Sequence, residues 1–174
     1  ALPAGEMYSY LTGEPVSEII GKQRPYAIMI NNIETSLPQS GVSQAEMIYE
    51  AQVESGITRL MAVFQDVDNI EKIGSIRSAR HYYIDFANDN DAIYVHYGQS
   101  KYALSRIEDD NIMTIHGLSG YETKVFYRSS DRKAPHNVYT TGKMLAEGLE
   151  VTGLTRDYPE GYTPRLQFNH VDTE

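Results

Sequence analysis

Short apolar runs separated by polar turns form the hydrophobic pattern of this 174-residue chain. Tyr26–Ile30 (YAIMI) and Ala92–Gly98 (AIYVHYG) have the length of a strand, which predicts two buried strands. Between them, Ile48–Glu54 and Thr58–Gln65 alternate apolar and polar residues around Ser55-Gly56, which predicts a β-hairpin. These patterns indicate a sheet with at least one buried face.

The predicted hairpin carries charged side chains on one face. Alternation places Glu50, Gln52 and Glu54 on the same side of the first strand, with Arg59 opposite Gln52 on the second. We expect a solvated face with a cross-strand ion pair, because most surface charges face water. In the alternative interpretation, Glu50 or Glu54 takes part in catalysis, as an acid or as a metal ligand.

Helices are predicted where a polar cap precedes an amphipathic stretch, or where glycine ends one. Three fit: Ala79 to about Asn88 after Ser78, Lys101 to about Asp109 after Ser100, and Lys143–Glu150 before Gly153. Shorter strands are predicted near Ile112–His116, Lys124–Tyr127 and Asn137–Thr140. The order of elements indicates an α+β fold: one mixed sheet that contains the hairpin and is partly covered by two to four helices.

The composition bounds the organisation and the partners of the chain. Its length fits one domain, and we expect a flexible segment over 1–14, the domain over 15–153, and a Tyr-, Pro- and Gly-rich linker or the start of a further domain over 154–174. A net charge of −9 argues against a nucleic-acid partner. The absence of Cys excludes disulfides and thiolate sites. The histidines do not have the spacing of metal ligands, and the chain has no glycine-rich phosphate loop, so we expect neither a metal nor a cofactor.

Positive charge is concentrated in two stretches. Gly74–Arg80 (GSIRSAR) and Lys124–Asn137 (KVFYRSSDRKAPHN) hold six of the fifteen Lys and Arg residues and a single acid, Asp131. A local group of cations in an acidic chain suggests either a bound anion or ion pairs with nearby carboxylates. We expect Gly74–Arg80 and Arg128–Asn137 to meet at one cleft.

The first stretch lies around a predicted helix start. Free backbone N–H groups and the helix dipole favour an anion there, and Arg77, Ser78 and Arg80 would add donors to it. Alternatively, the arginines pair with acids of the same helix and its end. These acids are Asp85, Asp89 and Asp91.

The second stretch supplies further candidate ligands: Arg128, Arg132, His136 and Asn137. His136 has a reference pKa near neutrality, so it can act as an anion ligand or a general base. The alternative is a solvated basic loop.

His96 lies near the carboxyl end of a predicted strand, where ligands of open α/β sheets bind. A histidine within an apolar run is more often part of the core, with its ring nitrogens hydrogen-bonded.

Several blocks of the chain resemble the YerB-type putative lipoprotein family. They are PVSEIIGKQRPYAIMINN, PQSGVSQAEMIYEAQVESGITRLMAVFQ, IGSIRSARHYYIDFA, YVHYG and RKAPHNVYTT, and the similarity covers about Pro15 to Leu145. His81 departs from the family pattern, in which proline is expected. The resemblance implies a bacterial lipoprotein on the outer face of the cytoplasmic membrane, anchored through a lipidated N-terminal Cys.

Three further expectations follow from this resemblance. Since the chain begins at Ala1 rather than Met, we expect the targeting segment and the anchor to have been removed. A smaller C-terminal domain is implied as a partner, and Leu166–Val171 (LQFNHV) would lead into it. The family is of unsettled function, so no reaction is implied.

Three functional hypotheses remain open. The first is a binding module for an anionic small molecule or envelope polymer, held by Arg77, Arg80, Arg132 and His136. The second is an envelope hydrolase or transferase with His96 or His136 as base, a glutamate as acid, and arginines that stabilise developing charge. The third is a protein-interaction domain that uses a tyrosine-rich surface, since the chain has 14 Tyr.

Overall fold

The computed structural model describes residues 2–169. Within them, ten strands are numbered in chain order: β1 Glu6–Tyr8, β2 Pro15–Ser17, β3 Tyr26–Asn31, β4 Met47–Gln52, β5 Thr58–Phe64, β6 Ile73–Gly74, β7 Ile93–His96, β8 Thr114–His116, β9 Tyr127–Arg128 and β10 Val138–Thr140. Five helices accompany them: α1 Glu18–Gly21, α2 His81–Asp89, α3 Lys101–Asp109, α4 Glu122–Val125 and α5 Gly142–Thr152.

A five-stranded mixed sheet forms the centre, in the order β4-β5-β3-β7-β8. β4, β5 and β3 are antiparallel neighbours, whereas β3, β7 and β8 run parallel. Two smaller sheets, β1-β2 and β6-β10-β9, lie beside it. The predicted α+β fold with a mixed sheet and a hairpin is confirmed.

Both faces of the central sheet are covered, which explains why every residue of β3 is buried. On one face, Ile28, Ile30 and Val95 pack with Val125 of α4 and Leu145 of α5. On the other face, strand residues pack against α2 and α3; its core includes Met29, Met61, Tyr83, Tyr94 and Ala103. A strand enclosed in this way is apolar at every position, as the continuous YAIMI run predicts.

The register of the hairpin corrects the predicted position of Arg59. β5 aligns Arg59 with Ala51 and Thr58 with Gln52, because the turn at Glu54–Gly56 is longer than the predicted Ser55-Gly56 connection. A one-residue change of register moves a side chain to the other face of the sheet. Arg59 is therefore only 4% exposed and lies on the α2 side, away from the exposed Glu50.

Two other predicted elements differ from the structure. The predicted strand Lys124–Tyr127 is the end of α4 followed by β9, because the Phe126 amide donates to the carbonyl of Glu122 and buried Val125 contacts α5 at Gly148. The predicted helix start at Ala79 is also wrong. α2 begins at His81 after Arg80, and the Ser78 hydroxyl bonds the Tyr97 carbonyl instead of capping the helix.

The terminal segments contact the sheet and each other. Leu11 is buried, and Gly13 lies against the ring of Phe168. Arg156 is also buried and bonds the carbonyl of Arg24, next to the start of β3. The domain limits at residues 14 and 153 stay predictions. The end of the predicted Leu166–Val171 segment, from His170 onward, lies outside the described residues.

Candidate functional site

Residues 75–79 run between the second half of β3 and the segment that follows β7. The Arg77 amide donates to the Met29 carbonyl of β3 at 3.0 Å, and its carbonyl accepts from the Tyr97 amide after β7 at 3.0 Å. The Ala79 amide then donates to the Gly98 carbonyl at 2.9 Å. The first basic stretch is thus fixed at the sheet edge where α/β proteins commonly bind ligands.

Three arginines meet at this edge: Arg59, Arg77 and Arg80, here termed the arginine cluster. Nη1 of Arg59 donates to the Ser78 carbonyl at 2.7 Å, and Nη1 of Arg77 donates to the Pro135 carbonyl at 3.3 Å. Arg80 alone binds a carboxylate, that of Glu54, through two hydrogen bonds. Among residues 2–169, neither Arg59 nor Arg77 forms an ion pair. The cluster therefore holds three positive charges against one negative charge.

The side-chain pKa values reflect burial first and then this concentration of charge. Burial, followed by the charges of Arg80 and Arg77, lowers the pKa of Arg59 to about 10. Burial and the neighbouring Arg80 also lower the pKa of Arg77. The hydrogen bonds from Arg80 lower the pKa of the Glu54 carboxyl to about 2. The arginines repel one another, so a bound anion would reduce the electrostatic repulsion among them.

Arg77 has an unused donor. Its Nε is buried and has no hydrogen-bond partner among the described residues. A guanidinium group has five N–H donors, and a buried donor without a partner costs about 1–3 kcal/mol, or more when charged. Such an atom commonly marks a place where a ligand or a water molecule binds.

His136 lies beside Arg77 on the loop between β9 and β10. Its Nδ1 accepts a hydrogen bond from the Asn31 side-chain amide at 3.0 Å, so the neutral ring carries its proton on Nε2. Burial and the charge of Arg77 lower the pKa of His136. The Ile76 amide also donates to the Val138 carbonyl at 2.7 Å. The two basic stretches therefore meet, whereas ligand binding by them stays a prediction.

The remaining predicted ligands in the second stretch form hydrogen bonds within the protein. Nη1 of Arg128 donates to Oδ1 of Asn137 at 2.8 Å, and the Asn137 amide donates to the Ser129 carbonyl. Arg132 donates to the carbonyl groups of Ser36 and Pro38. These bonds hold the loop in place, and they leave Arg77 and His136 as the members of the two stretches that face each other.

His96 is a core residue in this structure. Nδ1 donates to the Gly98 carbonyl at 2.8 Å, Nε2 lies 2.9 Å from the Thr114 hydroxyl, and the ring stacks on His116. Burial lowers the pKa of His96 to about 4. With both nitrogens engaged, His96 has no free atom to act as a base. Glu50 is separate as well: it binds Asn32 and Thr58 on the exposed face of the hairpin.

Arg59 belongs to the arginine cluster although it was not among the residues predicted for the site. The signal was the alternation of β5, which places Arg59 on the same face as Met61 and Val63. Two apolar neighbours at that spacing predict a buried position for the arginine too.

The described part of the chain contains neither a metal-binding group of side chains nor a membrane-spanning helix. No group of three or more His, Asp or Glu residues within 2–169 is arranged to hold a metal ion. No helix in that range has both the length and the apolar character to cross a membrane.

Comparison with known proteins assigns the chain to a family. The family described as "protein of unknown function (DUF3048) N-terminal domain" matches residues 11–155. The chain belongs to this family. The resemblance to YerB-type proteins is thereby confirmed, and the DUF3048 N-terminal domain accounts for the central sheet and its helices.

A curated relative and a solved structure agree with this assignment. The chain is 35% identical over 150 residues to the "Putative lipoprotein YerB" of Bacillus subtilis. The aligned region is 86% of this chain and 45% of that protein. The crystal structure of Bacillus subtilis YerB superposes with a TM-score of 0.80 at 34% identity, over 87% of this chain and 52% of that one. The chain thus spans about half the length of these two relatives.

Proposed function

We propose that this domain binds an anionic ligand, a carboxylate or a phosphate of a cell-envelope fragment, at the arginine cluster and His136. The buried, unpartnered Nε of Arg77 is the observation that carries the proposal. It is a charged donor in a cluster whose positive charge exceeds its negative charge by two.

The chemistry of the cluster suits a planar or tetrahedral oxyanion. Guanidinium groups bind such anions through paired N–H donors, and the two bonds from Arg80 to Glu54 already have this form. Partial burial strengthens each charge–charge interaction, since water screens it less. His136 adds a group that gains a proton more readily once an anion is bound nearby.

We place the domain outside the cytoplasmic membrane, with a lipid anchor on the full-length protein. The support is the name of the Bacillus subtilis relative, a putative lipoprotein. In that compartment, anionic groups of the cell envelope are the abundant candidates for the ligand.

Calorimetric titration with inorganic phosphate and with acetate, at low ionic strength, tests the proposal. We expect Arg77→Ala to weaken binding by about tenfold or more, the loss expected for hydrogen bonds to a charged group. Arg165→Ala is the matched control, because Arg165 pairs with Asp91 at the far end of α2. Equal binding by the wild type and Arg77→Ala, or no binding of either anion by the wild type, would contradict the proposal.

A further inference from the structure

A groove lies between the end of β7 and α4, on the side of the sheet that α4 and α5 cover. The groove has a volume of about 390 Å³, within the range of small-molecule sites, and we term it the Glu122 groove. Tyr97, Phe126 and Tyr127 form its aromatic walls, while Glu122 and Arg128 provide its charges. The rings of Tyr97 and Phe126 meet edge to face at 5.5 Å between centroids.

Glu122 carries an unsatisfied acceptor. Its Oε2 is buried and has no hydrogen-bond partner among residues 2–169. A buried carboxylate oxygen without a donor costs free energy, so the groove favours a ligand that brings an N–H group. A positively charged donor gains most, because it also interacts with the surrounding aromatic faces.

Arg128 places a positive charge in the same groove without neutralising Glu122. Its guanidinium lies over the Tyr97 ring, 5.2 Å from the ring centroid, and donates a hydrogen bond to Asn137. Among the described residues it forms no ion pair with Glu122. A simple cation is repelled by Arg128 and a simple anion by Glu122. A ligand with both charges satisfies both residues.

We infer that the Glu122 groove binds a zwitterion, a free amino acid or a short peptide with both termini free. Its ammonium group lies at Glu122, its carboxylate at Arg128, and its apolar part against Tyr97 and Phe126. This site shares no residue with the arginine cluster, so each of the two sites can be tested independently of the other.

Titration with the dipeptide alanyl-alanine, followed by two-dimensional NMR, tests the inference in the intact chain. We expect the signals of Tyr97 and Phe126 to shift with the dipeptide, and binding to weaken roughly tenfold when the amino group is acetylated or the carboxyl group is amidated. Glu122→Gln, which preserves the shape of the side chain, should cause the same loss. Glu150→Gln, at an exposed position of α5, is the control.

The analogue series keeps the test independent of any effect of Glu122→Gln on folding. The inference is overturned if the dipeptide shifts no groove signal, or if the acetylated dipeptide binds as well as the free one. Dipeptide binding that persists in Arg77→Ala supports the groove as a separate site. Loss of dipeptide binding in Arg77→Ala would instead assign the ligand to the arginine cluster.

Discussion

Arg80 holds the carboxylate of Glu54 through two hydrogen bonds, Nε to Oε1 at 2.7 Å and Nη2 to Oε2 at 2.8 Å. The Arg80 side chain is largely buried, whereas 65% of the Glu54 side chain is exposed. Glu54 is thus an internal anion at the border of the arginine cluster. A ligand would bind beside it, at Arg77, or replace it.

Removal of the Glu54 charge should strengthen anion binding. In Glu54→Gln the cluster loses its one carboxylate, so we expect the affinity for phosphate to rise several-fold at low ionic strength. The free energy of unfolding should change by only about 0–1 kcal/mol, because the pair is open to water on the Glu54 side. Calorimetry and urea denaturation measure the two effects. Unchanged or weaker phosphate binding in Glu54→Gln, with Glu150→Gln as control, would argue against a site at the cluster.

The pKa of His136 should report on the charge around it. In the free domain it lies below the ordinary histidine value, because of burial and Arg77. We expect phosphate to raise this pKa, since a bound anion stabilises the protonated ring, and Arg77→Ala to raise it without a ligand. NMR titration of the His136 ring signals measures both shifts. A pKa that is the same with and without saturating phosphate would place the anion away from His136.

His96 should make the stability of the domain depend on pH. Its pKa is about 4 in the folded state and 6.5 in the unfolded chain, so the unfolded chain binds more protons between these values. The free energy of unfolding is therefore highest above pH 6.5 and decreases as the pH falls toward 4. The total decrease that His96 causes is about 3 kcal/mol. Urea denaturation at several pH values measures the slope. His96→Gln should flatten it, and an equal slope in this variant would assign the effect to other groups.

The sequence predicts the sheet better than the site, for physical reasons. The buried strands β3 and β7 follow from continuous apolar runs, and α3 follows from its Ser100 cap, because these signals are local. The Arg80–Glu54 pair joins residues 26 positions apart, and it depends on where the hairpin turn ends. The Nε of Arg77 has no hydrogen-bond partner because of the way the side chains pack around it, and no sequence pattern indicates such an arrangement.

Arg156 should be important for stability although it follows the last helix. It is 7% exposed, donates from Nε to the Arg24 carbonyl at 2.7 Å and from Nη2 to the Gln65 carbonyl at 2.5 Å, and lies over the Tyr26 ring. Arg156→Met leaves two carbonyl groups without donors, so we expect a loss of about 2–4 kcal/mol in the free energy of unfolding.

Arg165→Met provides the comparison for this prediction. More than half of the Arg165 side chain is exposed, and its partner Asp91 also contacts Arg24 and Tyr162, so the replacement of Arg165 should cost only about 0–1 kcal/mol. Urea denaturation of both variants makes the distinction. Equal, small losses would show that the segment from residue 154 onward contributes little to the fold.

The Nε–H group of Arg77 can be observed directly by NMR. The Nε–H signal of Arg77, assigned by its absence in Arg77→Lys, should shift progressively and saturably as inorganic phosphate is added to the domain. Its exchange with water should slow at the same time, because the donor gains a partner. The Nε–H signal of Arg165 should not follow this titration. An Arg77 Nε–H signal that stays constant while phosphate saturates the protein, or that shifts no more than that of Arg165, would contradict an anion site at the arginine cluster.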